Sequence, residues 1–203
     1  MEITTGTTQK QFFILIGRSG GGKGTQAKLL TEYLEKKGHE KVLHITTGGG
    51  FRALSERGTY AAELSKANTN SGGFGPEFLA IWVWSTIFID TLTGTETVIL
   101  DGAPRKSAEA TALHSAITFF GYHNPVVIYL DVSESASKDH IKDRGRDDDT
   151  PEGIARRMSW FDIETLPTIE GYLHDPRYKV LHINGNQAID EVHTEIITKL
   201  DLV

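Results

Sequence analysis

The sequence contains no cysteine. Disulfides, thiol nucleophiles and thiolate-bound zinc are therefore excluded at the outset. Positive charge is also in short supply: 21 Lys and Arg stand against 27 Asp and Glu, a formal net charge of −6. Such a chain is not expected to adhere broadly to nucleic acid or to an anionic membrane. Any anionic ligand has to be gripped by a local cluster of positive groups. No apolar run approaches the roughly 20 residues that span a bilayer. Residues 1–11 lack the basic segment and apolar stretch of a secretory signal and read as a short polar lead-in. Repeats and low-complexity tracts are missing as well. The expectation is a soluble, cytoplasmic monomer whose partners are small molecules.

What remains is ordinary globular material. The 203 residues are 38% hydrophobic and 24% charged, enough for one substantial core. Apolar bursts of strand length fall at 12–16, 42–45, 97–100, 126–130 and 179–183. Helical patterns are expected at 23–37, 106–120, 134–143, 151–174 and 188–200. Continuous apolar strands separated by helices predict a parallel sheet covered on both faces. Residues 47–92 show no strand and read as a helical excursion, broken into two parts by Gly72, Gly73, Gly75 and Pro76. Trp82, Trp84, Ile87 and Phe88 within it are expected to be core packing and not a stacking platform for bases.

Glycine is concentrated at one place. The run GRSGGGKGT at 17–25 follows the first strand and opens a helix. Its GxxxxGK spacing in a strand–loop–helix context is the pattern that holds phosphates. Gly20, Gly21 and Gly22 let successive backbone N–H groups turn toward phosphate oxygens. The helix N-terminus adds partial positive charge. Lys23 reaches the β- and γ-phosphates as a point charge. Gly24 follows the lysine where many such loops have Ser or Thr, and then come Thr25 and Gln26.

The segment GKGTQ resembles the adenylate kinase family and its relatives among nucleoside monophosphate kinases, and the resemblance runs from about residue 12 to 197. It implies a P-loop kinase fold: a three-layer α/β/α core with a five-stranded parallel sheet, formed by residues 1–46 and 93–203. It also implies a helical monophosphate-binding insert at 47–92 and a short lid at 143–150. ATP would lie against Gly20, Gly21, Gly22, Lys23, Gly24, Thr25, Arg144 and Gln187, with Thr25 at the magnesium–nucleotide. HITTGGGFR at 44–52 looks like the family's STGDxxR segment, where Thr47 would lie against the acceptor base and Arg52 would hold its phosphate. Gly49 stands where the family has Asp, which removes a capping carboxylate and would loosen the helix start. GGFGPE at 72–77 is similar to the family's GxLVPDE turn, so the backbone of Gly73, Phe74 and Gly75 would border the acceptor base.

DGAPR at 101–105 resembles DGFPR at the end of a parallel strand, where open α/β sheets place ligands. Asp101 would orient water on Mg²⁺, Gly102 would border the acceptor, and Arg105 would clamp its phosphate with a planar fork. RGRDDD at 144–149 followed by PEGIARR at 151–157 looks like RxDD…R. Arg144, Arg146 and Arg157 would surround the transferring phosphoryl group, with Asp148 and Asp149 fixing them. His140 stands where the family often has an arginine stacked on the ATP adenine, and NGNQ at 184–187 would lie beside that base.

Glu109 departs from the glutamine usual in adenylate kinases. An ionised Glu only accepts hydrogen bonds, which suits guanine better than adenine, whereas Thr47 favours adenine. Read without the family, Glu109 is an exposed helix residue. The implied activity moves the γ-phosphoryl of Mg-ATP to AMP, reversibly giving two ADP, with Mg²⁺ and without zinc. A kinase for GMP, CMP or UMP, a small switch-type NTPase and a non-catalytic nucleotide-binding module stay open as alternatives.

Overall fold

The computed structural model describes residues 10–39, 41–70, 75–145 and 149–200. Five strands, β1 (Phe12–Gly17), β2 (Val42–Thr46), β3 (Thr97–Asp101), β4 (Val126–Asp131) and β5 (Lys179–Asn184), form one sheet in the order β2-β3-β1-β4-β5. Every pairing is parallel. The register sets Leu15 and Thr46 on either side of Asp101, so the carboxyl ends of β1, β2 and β3 finish together.

The inner strands β1, β3 and β4 are largely apolar because both their faces are covered. Phe12, Ile14 and Ile16 point into one core with Val98, Leu100, Trp84, Phe88, Leu113 and Ile117. Phe13 and Leu15 point into the other with Ile99, Ile128, Leu30, Leu34 and Ile196. Helices α1 (Lys23–Lys36) and α9 (Ile189–Leu200) pack on the second face. On the first lie α4 (Glu77–Thr91), α5 (Ser107–Phe119) and α8 (Leu166–Leu173). Each fully buried Leu, Ile or Phe contributes about 1.5–3 kcal/mol of transfer free energy. Trp84 and Phe88 are core residues, with ring centroids 5.3 Å apart. Trp82 is half-buried, and the Arg57 guanidinium lies 5.0 Å from its ring.

Two helical stretches differ from the sequence expectation. Residues 47–92 form three helices, not two: α2 (Thr47–Ser55), α3 (Tyr60–Asn70) and α4. The extra break falls at 56–59, where Gly58 interrupts the pattern and the Thr59 hydroxyl accepts from the Ala62 N–H at 3.3 Å, capping α3. The stretch 151–174 is one path but not one helix. Helix α7 (Pro151–Trp160) passes through a π-helical turn, Phe161–Thr165, into α8. Pro167 supplies no N–H and its ring crowds the carbonyl four residues earlier, which accounts for the widened turn. Helix α6 (Glu134–Arg144) completes the set. Among the described residues no helix is long and apolar enough to cross a membrane.

Candidate active site

The phosphate loop occupies residues 18–22, between β1 and α1. Gly20 and Gly22 take positive φ values of 80° and 76°, which L side chains rarely adopt. Gly22 is the N-cap of α1, and no side chain caps that helix or places an acid in its first turn. The helix therefore turns its positive end toward the loop without a capping side chain or a first-turn carboxylate. The Lys23 ammonium donates to the carbonyls of Gly17 at 3.0 Å and Arg18 at 2.7 Å, folded back over the loop.

Across the sheet, the end of β3 builds the opposite wall. Gly102 has φ 87°, and a Cβ there would stand 2.8 Å from the Thr47 hydroxyl. That hydroxyl donates to the Asp101 carbonyl at 3.3 Å. The Arg105 Nε donates to the Gly102 carbonyl at 2.9 Å, which turns the guanidinium toward the cleft. The Ala103–Pro104 peptide between them is cis. Glu109 is not an exposed helix residue: it keeps 3% of its accessible surface, and its Oε2 accepts the Arg105 N–H at 3.0 Å. Burial pushes its carboxyl above the usual value, with the Arg105 N–H and the charges of Arg105 and Lys106 pulling it back and Glu77 adding to the rise.

Helix α2 does not start loosely. The Thr46 hydroxyl accepts from the Gly49 N–H at 3.2 Å and caps it, and a Cβ at Gly49 would stand 2.5 Å from that oxygen. The missing Asp is thus replaced by a cap from the preceding strand. Gly50 and Gly75 serve close packing: a Cβ at the first would run into Val83, and at the second would lie 2.8 Å from the Phe51 ring. Arg52 lines the cleft from α2. From α7, Arg157 is held by Asp149 at 2.6 Å, with side chains 9% and 3% exposed.

One cleft of about 1380 Å³ joins these walls. Lys23, Arg52, Arg105 and Arg157 all line it, as do Thr25, Thr47, Gly75, Gly102, Glu109 and Gln187. Gly20, Gly21, Gly22 and Gly24 line it from the loop side. His140 accompanies the loop, its Nδ1 3.0 Å from the Gly20 carbonyl. Gln187 donates to the Asn184 carbonyl at 2.9 Å and to Glu195 at 2.6 Å. Gly73, Phe74, Arg146 and Asp148 lie outside the described residues, and of Arg144 only the backbone, at the end of α6, is described.

Asp101 and Thr25 both face the cleft, and a Cβ at Gly24 would stand 3.5 Å from the Asp101 carboxylate. Among the described residues no cluster of three His, Asp or Glu side chains could cage a metal alone. A hydroxyl with one carboxylate fits magnesium, which takes oxygen ligands, keeps several waters and comes with phosphates. Sequence reading missed two neighbours. The His44 imidazole Nε2 lies 3.8 Å from the Asp101 carboxylate, and the Arg18 guanidinium donates to Asp162 at 2.8 Å. Alternation along β2 puts His44 and Thr46 on one side of the strand, a signal for the first; nothing in the sequence pointed to the second.

A sequence profile of the family described as adenylate kinase matches residues 15–176. The chain is 32% identical over 192 residues to the adenylate kinase of Bacteroides thetaiotaomicron, covering 93% of this chain and 97% of that one. It is 32% identical over 186 residues to adenylate kinase 1 of a Nostoc species, covering 90% and 95%. The adenylate kinase of Oenococcus oeni is 29% identical over 177 residues, covering 87% and 91%.

Proposed function

Because the chain belongs to the adenylate kinase family, we propose that it is a phosphotransferase that moves the γ-phosphoryl of Mg-ATP to AMP and gives two ADP. One observation carries this: a single cleft in an acidic chain is lined by Lys23, Arg52, Arg105 and Arg157 together. A switch-type NTPase needs the loop and its lysine but has no use for Arg52 and Arg105 on the facing wall.

The chemistry asks for little from side chains as acids or nucleophiles. An acceptor phosphate oxygen attacks the γ-phosphorus directly, and the P–O bond to the ADP leaving group breaks in line with it. The protein supplies alignment and positive field. Backbone N–H groups of Gly20, Gly22 and Gly24, with the α1 N-terminus, cradle the donor phosphates, while Gly21 lines the loop and spends its N–H on the Arg18 carbonyl. Lys23 exchanges its two carbonyl partners for phosphate oxygens. Arg52 and Arg105 hold the acceptor phosphate in place. Arg157, fixed by Asp149, faces the transferring group, and Arg144 and Arg146 join it from the short lid at 143–150. Thr25, and Asp101 through water, would hold magnesium together with the phosphates, and the ion would supply positive charge that offsets theirs. His140 and Gln187 border the donor base; Thr47, Gly73, Phe74, Gly75 and Gly102 border the acceptor. Helices α2, α3 and α4 act as the acceptor-binding insert, and the site of action is the cytoplasm.

One observation favours a second reading of the acceptor. The buried Glu109 faces the cleft as a carboxyl, and in its ionised form two acceptors suit guanine's donor edge. A coupled assay of ATP with AMP, GMP, CMP, UMP and dTMP is expected to rank AMP first, and GMP in first place would replace the primary reading. Lys23→Ala is expected to lower kcat by about 10²-fold or more while the fold is retained. Wild-type hydrolysis of ATP without transfer to any monophosphate would sink the kinase reading.

A further inference from the structure

The phosphate loop carries one charged side chain that the cleft does not use. Arg18 comes directly after β1 and does not line the cleft, although the Phe161 ring that it faces does. Its Nη2 donates to Asp162 Oδ1 at 2.8 Å, and its Cζ lies 4.3 Å from the centroid of the Phe161 ring. The Arg18 side chain is 18% exposed while that of Asp162 is 47% exposed. Nη1 is buried and has no hydrogen-bond partner among the described residues. Both contacts land on the π-helical turn Phe161–Thr165, the direct continuation of the helix that carries Arg157.

The main chain of the same residue does separate work on the cleft side. The Arg18 carbonyl accepts from the Gly21 N–H at 3.0 Å, closing the turn of the loop. It also accepts from the Lys23 ammonium at 2.7 Å. One residue therefore grips the Arg157 helix with its side chain and holds the loop and its lysine with its backbone. The three glycines that follow are conformationally loose, so they cannot fix the loop themselves.

A half-exposed ion pair alone adds little. The ring face changes that, because a planar guanidinium can stack and donate at once and so takes one orientation, which a lysine ammonium does not. The unpaired Nη1 argues against a brace that serves packing alone, since a buried donor without a partner is unfavourable.

We propose that Arg18 is a positioning residue for phosphoryl transfer: it ties the phosphate loop to the α7 helix so that Lys23 and Arg157 meet the donor's phosphates at a fixed spacing. The proposal rests on the kinase reading of the cleft. In-line transfer is sensitive to misplacement on the order of 1 Å, so a slack loop shows in catalysis.

The test compares wild type with Arg18→Ala, Arg18→Lys, Asp162→Asn and the double variant R18A/D162N. Arg177→Ala serves as the control, since Arg177 pairs with Asp175 on the surface at 2.6 Å. Rates are measured with ATP and AMP varied separately. R18A is expected to lower kcat/KM for ATP about tenfold while KM for AMP moves less than about twofold. D162N should shift in the same direction, the double variant should be no worse than R18A, and R18K should recover only part of the loss. R177A should match wild type. Amide hydrogen exchange at residues 19–22 of the nucleotide-free protein should rise in R18A. Wild-type kinetics and exchange in R18A, even with a lower Tm, overturn the proposal, and so do additive losses in the double variant. Should R18A fail to fold, R18K and D162N carry the comparison. If wild type itself transfers no phosphoryl group, the kinase reading falls by itself. The tie is then judged by calorimetric ATP affinity: weaker binding by R18A or D162N supports it, and equal binding overturns it.

Discussion

At the scale of the residue, if Glu109 reads the acceptor base, its proton decides which base is read. Neutral, the carboxyl offers one O–H donor and one C=O acceptor, the pattern adenine needs at N1 and its amino group; ionised, it offers acceptors only. Burial holds its pKa up against the pull of the Arg105 N–H and the Arg105 and Lys106 charges, with Glu77 on α4 adding to the rise. Tyr172 on α8 also lies within its electrostatic reach. A raised pKa keeps the proton to higher pH, so AMP is favoured on the acid side and loses ground as pH rises through that value. The acceptor's own phosphate titrates near pH 6, so the quantity to follow is the ratio of kcat/KM for AMP to that for GMP. As pH rises past the ordinary carboxylate range and through the raised Glu109 value, this ratio should fall in wild type, while Glu109→Gln should hold it high and flat. An identical slope in both proteins means that Glu109 does not read the base. Lys23 and Arg105 were legible in the sequence because fixed spacing after a strand dictates where they stand. The burial of Glu109, the His44–Asp101 approach and the Arg18 contacts were not, because each depends on elements far apart in the chain.

At the scale of the element, strand ends were read to within one residue, since an unbroken apolar run has only one way to lie in a sheet covered on both faces. The helices were less legible where a single polar group decides. Thr59 and Thr46 each cap a helix with a hydroxyl, and neither lies in an obvious signal. The turn between α4 and β3 shows the same device at its strongest. The fully buried Glu96 accepts from the backbone N–H groups of Thr93, Gly94 and Thr95 at 3.0, 2.9 and 3.1 Å, and pairs with Lys41 beside β2. Burial alone would raise its pKa; Lys41, the Thr93 hydroxyl and those N–H groups outweigh it and hold the carboxyl well below the usual range. The unfolded chain then takes up this proton first as pH falls. The stabilisation is complete above about pH 4.5 and fades below it. Glu96→Gln should cost about 2–4 kcal/mol near neutral pH and flatten the loss of stability between about pH 4.5 and 3. Urea unfolding across that range checks it; a wild-type-like acid limb in the variant would assign the acid sensitivity to other groups.

At the scale of the whole molecule, the pattern of strands and helices made the α/β/α layering legible, whereas the relation between the walls of the cleft was not, because sequence spacing carries no distance across it. The walls belong to two kinds of structure. Lys23 opens α1, which packs on the sheet, Arg105 follows the end of β3, and Arg157 stands on α7, which packs on α6; Arg52 stands on α2, which packs on α3 and α4. A cleft of about 1380 Å³ open to water cannot protect a polyphosphate from hydrolysis. The reaction proposed here therefore requires the three helices to move over the acceptor once both nucleotides are present. The absence of cysteine makes the motion directly measurable, because Glu63→Cys on α3 and Glu170→Cys on α8 are then the sole labelling sites. With a dye pair on these two residues, ATP alone or AMP alone should shift the transfer-efficiency distribution only partly. Both together should populate a shorter distance that interconverts with the open one on the microsecond-to-millisecond scale of domain closure. Distances unchanged by saturating amounts of both nucleotides would leave the reacting phosphates exposed to water, and the closing role of α2, α3 and α4 would have to be abandoned.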